Sequence, residues 1–113
     1  MKRYLISFDD GDMVFPAEEL PEVARAANAV AEEAMAAGAW VFGGGLTSSG
    51  AASVVGIDGT VSDGPFPGKQ AFLGGFAVLD VATREEALEW AAKFAVACRC
   101  PQEVREFVSE PDM

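Results

Sequence analysis

The sequence predicts an α+β fold in which one antiparallel sheet carries both helices on a single face. Three observations lead there. Strand-like and helix-like runs follow one another in the order β-α-β-β-(loop)-β-α-β. Each helical run closes on a glycine or a proline, which separates it from the strand behind it. Half of the 113 residues are apolar, enough for one modest core and too many for a disordered acidic chain.

The first strand is Tyr4-Leu5-Ile6-Ser7-Phe8, with Tyr4, Ile6 and Phe8 on one face. The acidic loop Asp9-Asp10-Gly11-Asp12 ends it. Pro16 and the first-turn acids Glu18, Glu19 and Glu22 then predict a helix over about 16–37, its acids at the positive end of the helix dipole. Leu20, Val23, Ala27, Val30 and Ala34 recur at helical spacing, and Gly38 is the natural stop.

Ala39 to Leu46 reads as a second strand that turns glycine-rich at Gly43-Gly44-Gly45. The run Ala52–Ile57 follows, and Asp58-Gly59 predicts a hairpin turn back through Thr60-Val61. A loop from Ser62 to Gln70 leads into Gly75–Asp80, a strand too apolar to have a solvated face. Thr83 and Glu86 make a capping box for the second helix. Ala87, Leu88, Trp90, Ala91, Phe94 and Ala95 form its buried stripe, and Glu89 with Lys93 an outward i, i+4 pair. Pro101 excludes further helix, Glu103–Val108 is the last strand, and Glu110–Met113 a short tail.

This order is the split βαβ, ferredoxin-like arrangement. Trp40, Phe42, Phe76, Val78 and Leu79 are too apolar for the free sheet face to stay wet, so a homodimer through that face is expected.

Charge excludes several function classes. Eight basic residues stand against 18 acidic ones, giving −10, so counterion release cannot drive nucleic-acid binding. There is no histidine, which removes histidine bases, ligands and triads. The N-terminus lacks a long apolar run, so no signal peptide is expected. The 24-residue uncharged run Ala34–Ile57 contains six glycines and is no bilayer span. A cytoplasmic protein without membrane contact, cofactor or metal is the expectation. Cys98 and Cys100 cannot complete a zinc set within one chain. They read as reduced thiols after a helix, with a vicinal disulfide or an intersubunit metal site as alternatives.

Gly43-Gly44-Gly45 is not followed by Lys-Ser/Thr, nor does a helix begin there, so it is no phosphate loop. Close backbone approach at a strand bend, beside a ligand or a partner, explains it instead. Asp9-Asp10-Gly11-Asp12 lacks the order of a calcium loop. The distinctive constellation is Asp63-Gly64-Pro65-Phe66 followed by Leu73-Gly74-Gly75-Phe76. Gly64 permits positive φ, Pro65 fixes φ, and Phe66 is suited to anchor the loop in the core. Asp63 either caps its own turn or stands as a carboxylate at a pocket rim.

These two segments resemble the signature of the YCII-related family in its DGPF-type branch. The resemblance runs on through Asp80, Glu85–Ala91 and Glu103-Val104-Arg105, and back to the first strand, Gly38 and Gly44-Gly45-Leu46. It implies that residues 1–113 form one such domain, with a ferredoxin-like fold and two sheets closing into a dimeric α+β barrel. It also implies either small catabolic enzymes or a regulatory role beside extracytoplasmic-function sigma factors. The family's His–Asp pair would place its aspartate at Asp63, but this chain has no histidine. The linker departs as well, reading Pro67-Gly68-Lys69-Gln70-Ala71 where the family has an acidic stretch.

The expected site is an intersubunit cleft for a small metabolite. Asp63 would be its acid–base or acceptor group, Lys69 or Arg105 would pair an anionic substrate group, and Tyr4 and Trp40 would line it. Gly64, Pro65, Phe66, Gly74 and Gly75 would shape it. The alternative is a non-catalytic accessory protein.

Overall fold

The computed structural model describes residues 1–109; the predicted tail Glu110–Met113 lies outside them. Six strands and two helices follow in the order β1 (Lys2–Asp9), α1 (Leu20–Ala36), β2 (Trp40–Gly45), β3 (Ser53–Val55), β4 (Val61–Asp63), β5 (Leu73–Val81), α2 (Arg84–Cys98) and β6 (Glu103–Glu106). The local signals act as the sequence predicts. Gly38 ends α1 at φ +75°, and Gly59 turns the β3–β4 hairpin at φ +86°. The Thr83 hydroxyl accepts the Glu86 N–H at 3.2 Å as the N-cap of α2. Pro16 starts a 3-10 turn, Ala17–Glu19, before α1 proper.

The main sheet is antiparallel with strand order β2-β5-β1-β6. Both helices lie on one face. Tyr4 and Ile6 of β1, Ala77, Leu79 and Val81 of β5, Val30 and Ala34 of α1, and Ala87, Ala91 and Phe94 of α2 form one buried cluster. Lys93 of α2 reaches across to Glu33 of α1 at 2.8 Å and lies over the Trp90 ring, so the expected Glu89–Lys93 pair does not form. Helix-to-helix packing puts a better-placed carboxylate within its reach.

The expected closure into a barrel is overturned. The sheet is open, with β2 and β6 as its edges, and the described residues form no closed barrel. A barrel needs strand pairing continued around a full ring. The extra strands β3 and β4, three residues each, pair only with each other as a separate two-stranded sheet. The Ser49–Ala51 turn diverts the chain from β2 before they begin.

A register shift in β2 between Trp40 and Phe42 corrects a second expectation. Strict alternation would put both rings on one face. With the bulge at Val41, Trp40 pairs with Leu79 on the helix face and packs at 6.5 Å from Phe94. Phe42 pairs with Val78 on the open face and meets Phe76 edge-on at 5.3 Å. Leu79, also expected on the free face, is fully buried under the helices.

Candidate functional site

The site begins with α1, whose apolar face is wider than the core needs. Val23, Val30 and Ala34 are buried. A second stripe, Leu20, Ala24, Ala27, Ala31 and Met35, lies one step around the helix and stays partly or fully exposed. Leu20 and Met35 are 55% and 54% exposed, although both border a cavity of about 410 Å³ between α1, β2 and the end of α2. Phe8, Trp40 and Phe94 supply its aromatic walls, Met13 and Cys98 its sulfur atoms, and the Gly43–Gly45 backbone its side along the sheet edge.

The glycines shape that wall by what they leave out. A β-carbon on Gly43 would stand 2.5 Å from the Phe76 carbonyl oxygen, so β2 can lie this close to β5 only with glycine there. The Phe8 ring occupies the space where a Gly75 β-carbon would be, at 2.6 Å. Asp9 and Asp10 fold over Gly74 in the same way, with Asp10 Cα 2.9 Å from the position its β-carbon would take. The second half of the motif, Leu73-Gly74-Gly75-Phe76, thus holds the end of β1 against β5 and sets Phe8 at the cavity.

The segment from Asp10 to Leu20 borders the cavity and is fastened at both ends. At one end the Asp10 N–H donates to the Phe72 carbonyl at 2.6 Å, and its carboxylate accepts the Ser49 N–H at 2.7 Å. That bond holds the Asp10 carboxyl below its usual range. At the other end Arg99, the left-handed residue that terminates α2 (φ 59°), pairs with Glu19, approaches Glu22 at 4.0 Å and lies over the Phe15 ring. Met13 and Leu20 reach the cavity from this strap. Burial pushes the Cys98 thiol up, and burial with the neighbouring Cys98 pushes Cys100 up to about 11, so both stay neutral thiols.

The residues expected at a site are not gathered in this cavity; Trp40 alone among them lines it. Tyr4 is buried on the helix face, its hydroxyl donating to Glu106 at 3.4 Å. Arg105 pairs with Leu5 and so lies on the opposite face. Asp63 ends β4, exposed, and its carboxylate has no hydrogen bond among the described residues. Gly64 N–H donates to the Ala52 carbonyl at 2.8 Å, and the Gly64–Pro65 peptide is cis. Lys69 lies over the Phe72 ring at 5.5 Å. Phe66 is 59% exposed, so it does not anchor its loop in the core. Sequence reasoning missed Asn28, Ala31, Met35 and Gln102. The width of the α1 apolar face signals Ala31 and Met35; nothing local signals Gln102.

No group of three or more Cys, Asp or Glu side chains among the described residues is placed to hold a metal ion. No helix among them is long and apolar enough to cross a membrane. Residues 2–99 match the YCII-related domain family. The chain belongs to that family. No curated protein matches it. For this YCII-related chain the family match spans the strap, the Asp63–Phe76 motif and every cavity-lining residue except Gln102.

Proposed function

We propose that this YCII-related protein binds a small molecule in the cavity between α1 and β2. The observation that carries the reading is the cavity itself. Its volume of about 410 Å³ falls within the usual size of ligand sites, and its lining is apolar with two amide side chains, Asn28 and Gln102. Within the family the DGPF-type branch fits best, on Asp63-Gly64-Pro65-Phe66 and Leu73-Gly74-Gly75-Phe76. Homodimerisation would proceed through the open sheet face, where Phe42 is 55% and Phe107 37% exposed. An acid–base role for Asp63 is supported by the motif alone, since its carboxylate stands in solvent.

A ligand screen read by amide chemical shifts tests the proposal. Ligands should move resonances of Ala27, Gly43, Gly45 and Phe94. Shifts confined to the open face, around Phe42, Val78 and Phe107, would reject it and favour the reading as an interaction protein.

A further inference from the structure

The walls of the α1–β2 cavity define the chemistry of what fits there. Among the described residues no Asp, Glu, Lys or Arg side chain lines it. A charged ligand group buried in it would therefore have no counter-charge, and burial of an unpaired charge is strongly disfavoured. The protein's net charge of −10 adds a further penalty for anions. The lining side chains with polar groups are the Asn28 and Gln102 amides, the Trp40 indole and the neutral Cys98 thiol. The Gln102 Nε2 donates to the Cys100 carbonyl at 3.3 Å, which leaves its Oε1 as the acceptor on offer. Aromatic rings and the Met13 and Met35 thioethers favour a π-surface, which thioether sulfur contacts well. Gly45 adds a bare stretch of backbone: a β-carbon built on it meets no atom within 4 Å. A cavity of roughly 150 Å³ accepts benzene, so 410 Å³ has room for two fused rings.

We infer that the cavity takes an uncharged one- or two-ring aromatic molecule carrying a hydrogen-bond donor, its ring against the Gly45 backbone and its donor on Gln102. This rests on the cavity being the ligand site. The test uses 2-naphthol and 2-naphthoate, equal in ring size and different in charge, titrated at neutral pH by calorimetry and amide chemical shifts. 2-Naphthol should bind about tenfold or more tighter than 2-naphthoate. Gly45→Leu, which enters free space without backbone strain, should abolish that binding while the melting temperature holds. Ala31→Leu fills the same space from α1 and serves if the first variant folds poorly. Gln102→Leu should weaken 2-naphthol several-fold. If 2-naphthoate binds as tightly or tighter, and Gly45→Leu removes it, the ligand class is wrong while the site stands. If neither compound shifts Gly43 or Gly45, or if 2-naphthol binding survives both filling variants, the site itself is overturned.

Discussion

Alanine scanned through the glycines of β2 and β5 separates two kinds of close packing around the cavity. At Gly43 the added β-carbon meets the Phe76 carbonyl oxygen at 2.5 Å, Ala77 Cα at 2.9 Å and Trp40 Cη2 at 2.9 Å. Two of these are backbone atoms of the paired strand, so relief requires β2 to part from β5. At Gly75 the nearest atoms are Cζ and Cε1 of Phe8, at 2.6 and 2.7 Å. That ring can turn away, losing its own packing. At Gly45 nothing lies within 4 Å. Overpacking costs about 1–3 kcal/mol. Gly43→Ala should fall at the upper end, about 3 kcal/mol, and Gly75→Ala at about 1–2 kcal/mol. Gly45→Ala should stay within about 0.5 kcal/mol of the parent. With about 4 °C per kcal/mol for a domain of this size, melting falls by about 12 °C, about 4–8 °C and about 2 °C or less. Urea unfolding followed by circular dichroism measures each. In a Phe8→Ala background most of the Gly75→Ala cost should be lost, leaving the 3.2 Å approach to the Gly44 carbonyl oxygen, while the Gly43→Ala cost persists. Additive behaviour of Phe8→Ala and Gly75→Ala, or a Gly43→Ala protein as stable as Gly45→Ala, would show that these close contacts do not require glycine.

Further outcomes follow from single contacts. Thr83→Ala removes the α2 N-cap and should cost about 1 kcal/mol in urea unfolding. The Arg3 guanidinium, bonded to Asp80 at 2.8 and 2.9 Å, holds that carboxyl below its usual 3.8. Its contribution is therefore full above that value and lost as pH falls through the lower folded one, and Asp80→Asn should flatten this acid limb. Arg3 is 51% exposed, so solvent screening limits the effect to less than about 1 kcal/mol. Arg99→Met unfastens the strap from α2. Amide exchange should quicken at Phe15, Ala17 and Glu19 and stay unchanged at Ala91 in the middle of α2. Cys98 and Cys100 should alkylate slowly at mildly alkaline pH in the native protein and rapidly in urea, because burial keeps both thiols protonated.

What could be read from the sequence was the part written in local chemistry. Gly38, Asp58-Gly59 and Thr83 each specify a backbone geometry within a few residues, and each does so in the structure, although the Glu86 side chain does not return the bond of a full capping box. The β1 face of Tyr4, Ile6 and Phe8 follows from alternation alone. Features set by distant packing were not legible. The bulge at Val41 sends Trp40 to the core and Phe42 to the open face, against the alternation the sequence suggests. Lys93 prefers Glu33, 60 residues away, to the Glu89 on its own helix. Phe66 looks like an anchor in a motif and is exposed, because the hairpin pairs only with itself. The barrel was an expectation from the family resemblance, and the sheet stays open because β3 and β4 pair only with each other and leave β2 and β6 as its edges.

The cavity is encoded from both sides, which separates it from a packing defect. A void left by one short side chain could be filled by its neighbours shifting. Here α1 presents Ala24, Ala27 and Ala31 along the facing stripe, and β2 presents Gly43, Gly44 and Gly45 opposite. Gly43 is accounted for by the 2.5 Å approach of the Phe76 carbonyl to its would-be β-carbon, but Gly44 and Gly45 answer to no such contact and adopt no left-handed φ. Backbone geometry therefore gives no reason for glycine at these two positions, where β-branched residues would suit a strand better. An edge strand also gains stability from side chains that pack, so two unconstrained glycines forgo it. Gly45, on the helix side of the sheet, borders the cavity, and a β-carbon there would meet only open space. Small residues on a helix face, glycine without a local cause on the facing strand, and a bordering strap tied at Asp10 and Arg99 all converge on one volume.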